Sequence, residues 1–139
     1  MAITKLPARQ ETQVAIADFT YADVTSATYA AAVDLPLNAV VTGGNLYITT
    51  LFNSATTDTF SIGDKVGAAA ATATTYSATS ADITATGRAV QVVPTGVLVG
   101  ADTTIGVVWT GAGAAPSAGV GKLVIEYIIN GMAESTYEN

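Results

Sequence analysis

Apolar and hydroxyl side chains alternate almost without interruption through LPLNAVVTGGNLYITTLFNSATTDTFSIGD, residues 35–64. A period of two is the signature of a β-strand with one face buried, since successive side chains point to opposite sides of the sheet. The only charges in the run are Asp58 and Asp64, near its end. It reads as a strand, a Gly43-Gly44 turn or bulge, a second strand, a polar turn at 53–58 and a third strand. Such a segment builds a rigid scaffold and carries few groups that could do chemistry.

The same period recurs along the rest of the chain. Residues 13–21 place Val14, Ile16 and Asp18 on one side and Ala15, Ala17 and Phe19 on the other. Residues 28–35 place Tyr29, Ala31, Val33 and Leu35 on one face, and Pro36 ends the strand. Leu46, Ile48, Thr50 and Phe52 line one face of 45–52, with Tyr47, Thr49 and Leu51 on the other. Phe60 and Ile62 point inward from 59–62; a strand at 88–93 ends at Pro94; Ile105, Val107 and Trp109 share a face of 103–110; Leu123, Ile125, Tyr127 and Ile129 share a face of 120–130. The alanine-, threonine- and serine-rich stretch 68–87 has no period and reads as a long surface excursion with a short strand near Tyr76. About eight strands at this spacing, with turn residues between them, predict an all-β fold: an antiparallel two-sheet sandwich of jelly-roll type. The expected organisation is an extended N-terminal arm over 1–12, a sandwich domain over 13–130 and an acidic C-terminal tail over 131–139.

Composition narrows the function classes. Half the residues are hydrophobic, but 26 of the 139 are alanine and 22 are threonine, which predicts a thin, β-rich core. With no cysteine and no histidine, the chain lacks disulfides, thiolate metal sites and the commonest general base and metal ligand. A net charge of −6 disfavours nucleic acid and anionic membranes as partners. No stretch reaches the ~18 consecutive apolar residues of a membrane-spanning helix. The first residues lack the apolar core of a secretory signal, so synthesis in a cytoplasm is expected.

Candidate chemistry is sparse. Asp58 and Asp64 flank a strand with Phe60 and Ile62 where calcium ligands would be needed, so turn capping is the stronger reading. Serines and threonines have no histidine to activate them, and no S-x-x-K pattern supplies a lysine instead. Gly111 and Gly113 follow a strand, but Pro116 stands where a dinucleotide loop needs its third glycine. Trp109 shares a face with Ile105 and Val107 and reads as core, which leaves Tyr47 as the better outward aromatic. The arm carries Lys5 and Arg9, two of the five cations, so it suits either docking onto an acidic neighbour or an ordinary frayed terminus.

The run DLPLNAVVTGGNLYITTLFNSATTDTFSIGD (34–64), with VVWTGAGAAPSAGVGKLVIEYIIN (107–130), resembles head decoration, or cement, proteins of tailed bacteriophages. The resemblance implies a jelly-roll sandwich on the outer surface of an icosahedral virion, bridging major capsid protein subunits. It implies no active site; no enzymatic activity, cofactor or metal is expected, and symmetric self-association into dimers or trimers is expected because closed point groups dominate homo-oligomers. The candidate contact residues are Lys5, Leu6 and Arg9 of the arm and Tyr47. The alternative is a carbohydrate- or receptor-binding sandwich module of a tail fibre or surface structure, which needs exposed aromatics in a groove.

Overall fold

The computed structural model describes residues 11–130, which form seven strands and one short 3₁₀ turn. The strands are β1 (Gln13–Thr20), β2 (Thr28–Leu35), β3 (Ala39–Thr50), β4 (Thr57–Val66), β5 (Gly87–Gln91), β6 (Thr103–Ala112) and β7 (Val120–Ile129). The 3₁₀ turn, Tyr21–Asp23, follows β1 and is closed by a capping box between Thr20 and Asp23. All pairings are antiparallel, in a four-stranded sheet of order β1-β7-β3-β5 and a three-stranded sheet of order β2-β6-β4. The expected two-sheet antiparallel sandwich is therefore what forms.

The strand order is that of a jelly roll whose fifth strand has lost its regular form. Its place, beside β4, is taken by residues 72–83 of the alanine- and threonine-rich excursion. This segment closes the β4 edge with side chains as well as backbone. The N–H groups of Tyr76, Ser80 and Ile83 donate to the carbonyls of Ile62, Phe60 and Asp58. In return the N–H groups of Ile62, Phe60 and Asp58 donate to Ser77 Oγ (2.7 Å), Ser80 Oγ (3.0 Å) and Asp82 Oδ1 (2.8 Å). A bridge between Asp64 and Thr72 completes the edge. The segment lies so close that a Cβ at Gly63 would sit 2.0 Å from Thr72 O. The short strand expected near Tyr76 does not form; hydroxyls and a carboxylate supply the acceptors a strand would have offered, and the Tyr76 side chain is buried in the core.

Phe60, Leu46, Ile48, Ile62, Ile105, Leu123, Ile125 and Val107 fill the space between the sheets. Each such side chain contributes about 1.5–3 kcal/mol by leaving water. Phe52 stands at the centre of the aromatic packing, with ring centroids 5.1 Å from Phe60, 5.6 Å from Trp109 and 6.3 Å from Phe19.

Two strand readings are corrected. The Gly43-Gly44 pair does not end a strand: β3 runs through it, with a register shift between Val41 and Gly43, and Gly44 takes φ +138°. A Cβ there would lie 2.1 Å from Val124 O, so glycine lets β3 press onto β7. In β2 a second shift between Ala31 and Val33 reverses the faces. Val33 and Leu35 point into the core, whereas Tyr29 lies outward over Gly106 and bonds Thr104 Oγ1 at 2.8 Å.

Candidate interaction surface

The outward face of the four-stranded sheet carries the candidate surface. Alternation in β1 sends Ala15, Ala17 and Phe19 inward and leaves Val14 and Ile16 outward, 54% and 59% exposed. Across the sheet, Ile16 faces Val124 of β7 and Val14 faces Glu126. Asp18 faces Lys122 and forms an ion pair with it at 3.6 Å. Both partners are well solvated, so this pair contributes little to stability. On the far side of β7, Ile128 faces Val40, Val124 faces Asn45 and Lys122 faces Tyr47. The result is an apolar group of Val14, Ile16, Val124, Ile128 and Val40, with Glu126 set among them and the Asp18–Lys122 pair alongside. Asn45 Oδ1 is buried in this sheet with no hydrogen-bond donor.

Tyr47, the aromatic expected to face outward, lies half-buried in β3 between Lys122 of β7 and Arg88 of β5. Lys5, Leu6 and Arg9 lie outside the described residues. Val14 and Ile16 were not among the candidates, although their grouping with Asp18 on one strand face was the available signal. An apolar pair sharing a face with a charge points to a surface rather than to a core.

The acidic groups do not converge. Asp58 turns into the core, where its Oδ1 accepts from Trp109 Nε1 at 2.8 Å and its Oδ2 from Ser54 N at 3.2 Å. Asp82 caps the edge of β4, Asp64 accepts from Thr75 Oγ1, and Asp23 caps the 3₁₀ turn. Among the described residues no three acidic, histidine or cysteine side chains gather as a metal site. Trp109 is 4% exposed, a core residue as expected, so it offers no platform for a sugar ring.

Clefts on the body hold little chemistry. One of about 300 Å³ opens between β1 and β2, lined by Ala17, Phe19, Val24, Ala30 and Ala32, with Asp18 and Asp23 already engaged. Another, about 430 Å³, lies beside Tyr21, Trp109 and Pro116 and contains no acid–base pair. Tyr29 and Tyr76 titrate above the ordinary tyrosine value. For Tyr76 burial raises the pKa and the nearby Asp64 charge adds to it; for Tyr29 burial again leads, opposed by the Thr104 hydrogen bond.

No protein-family model matches the chain, and no curated protein matches it. Among solved structures it is similar to a chain of the cyanophage Pam1 capsid asymmetric unit. The two superpose with a TM-score of 0.70 at 21% identity, over 92% of this chain and 94% of that one. At this identity the likeness establishes a shared fold.

Proposed function

We propose that the protein is a structural component of a phage virion, placed on the outer surface of the head, where it cements adjacent major capsid protein subunits. The observation that carries this reading is the shared fold itself: it runs nearly end to end through both this chain and one belonging to a phage capsid asymmetric unit. The surface chemistry supports it. The outward face of the four-stranded sheet offers an apolar group with few charges, suited to burial across a seam between subunits. Repetition over a closed lattice makes many weak contacts act together, so each needs little affinity of its own. The same reading assigns the chain no catalytic role.

The test is co-sedimentation of the purified protein with empty phage heads in the expanded and unexpanded states. Saturable binding to one lattice state, with a rise in the temperature at which shells rupture, is the expected result. Failure to bind either state, together with selective retention on a glycan array, would replace this reading with the carbohydrate-binding one.

A further inference from the structure

Each sheet has two edges; among the described residues one of the four is closed by another segment and two more are protected. The β4 edge is bonded along its length by residues 72–83. β5 is five residues long, carries Arg88, and is followed by Val93, whose N–H is held by Tyr76 O, and then by Pro94. β2 is broken by the shift between Ala31 and Val33 and carries Asp34. Short length, charge, proline and bulges are the ordinary protections of an edge strand. β1 is neither short, bulged nor broken by proline: its pairing with β7 runs unbroken over eight residues, its one charge, Asp18, is paired with Lys122, and Val14 and Ile16 stand exposed.

The phase of the open edge is fixed. Tyr21 N–H donates to Gly119 O at 2.9 Å, one step beyond the Thr20–Val120 pair. Because bonding alternates along an antiparallel strand, the odd-numbered residues of β1 bond β7 and the even-numbered ones turn outward. The outward N–H of Thr20 is taken by Asp23 Oδ2 at 2.8 Å. Among the described residues, Val14, Ile16 and Asp18 therefore present the open N–H and C=O groups.

We propose that two copies of the chain join through this edge, pairing β1 with β1 antiparallel about a twofold axis at Ile16. In this register Ile16 faces Ile16 of the partner subunit, and Val14 faces the partner's Asp18 on either side. All three open residues of each strand then bond, two hydrogen bonds to each facing pair. Either neighbouring register matches only two of the three. A shift that sets Val14 against the partner's Ile16 leaves Asp18 opposite the partner's Thr12, which precedes β1 and lies outside its pairing with β7. The opposite shift sets Ile16 against the partner's Asp18 and Val14 against the partner's Thr20, whose N–H is already engaged. The axis at Ile16 joins the two four-stranded sheets into one and carries the apolar group across the seam. A second copy is the occupant that matches the open groups with their own complement.

The chain has no cysteine, so a single introduced thiol reads the register directly. In a facing bonded pair the Cα atoms lie ~5.5 Å apart, inside the ~4.4–6.8 Å range that a disulfide spans. Ile16→Cys should therefore cross-link under mild oxidation at least about tenfold faster than Val14→Cys, whose two thiols stand more than ~13 Å apart along the strands in this register. Sedimentation of the unmodified protein should show a dimer whose fraction rises with concentration, and Ile16→Lys should return it to monomer with an unchanged circular dichroism spectrum. A monomer at all concentrations overturns the proposal, as does a dimer that survives Ile16→Lys or one in which Val14→Cys links as fast as Ile16→Cys. These measurements use the purified chain alone and are independent of whether it binds a shell.

Discussion

Asp58 shows how a carboxylate can be spent wholly on structure. It is 5% exposed, and one side chain satisfies both the indole N–H of Trp109 and the turn at Ser54, while its own N–H is held by Asp82. Removing the acceptor leaves a buried donor without water or partner, which costs roughly 1–3 kcal/mol. Asp58→Ala should therefore lower stability by that amount in urea unfolding. Asp58→Asn should lose less, because the amide oxygen still accepts from the indole. In a Trp109→Phe background the cost of Asp58→Ala should shrink, since the orphaned donor is gone; equal costs in both backgrounds would assign the effect to the Ser54 turn instead.

At the level of the element, the edge of β4 is closed by hydroxyls. Ser77→Ala and Ser80→Ala each delete the acceptor for one N–H of β4 and should each cost about 1 kcal/mol. The local readout is hydrogen exchange: the amides of Ile62 and Phe60 should exchange faster in the respective variants, and unchanged protection would mean that the hydroxyls are incidental. This device was hidden in the sequence. Strands announce themselves by a period of two, and that period located every regular strand. The 72–83 segment has none, because its bonds come from serine and aspartate side chains at irregular intervals onto backbone far away in sequence. The faces of β2 were misread for a related reason: Ala30, Ala31 and Ala32 are alike in size and polarity and carry no phase, so the shift between Ala31 and Val33 leaves no trace. At Gly43-Gly44 a turn and a bulge demand the same residues, and only the long register of β3 against β7 separates them. That Tyr47 lies on the outward face of β3 was legible from alternation alone. The apolar group was not, because it is assembled from strands far apart in the chain.

For the molecule as a whole, one pH sensitivity lies at the alkaline end. With no histidine, the side chain that ordinarily titrates near neutrality is missing. Tyr29 and Tyr76 are held above 10.0 in the folded state, chiefly by burial. A raised folded pKa means that the unfolded chain loses these protons first. Their contribution is therefore complete below about pH 10 and is lost as the pH climbs through the folded values. The unfolding midpoint should hold up to about pH 10 and fall beyond it, and the double variant Tyr29→Phe, Tyr76→Phe should flatten that fall; an equally steep decline in the variant would assign it to other groups. The protection of three sheet margins out of four among the described residues has a last consequence, one of arithmetic. A brick with a single sticky side has a valence of one. Whatever mates with that side saturates it, so growth by strand addition halts at the first partner and does not run on into a fibre.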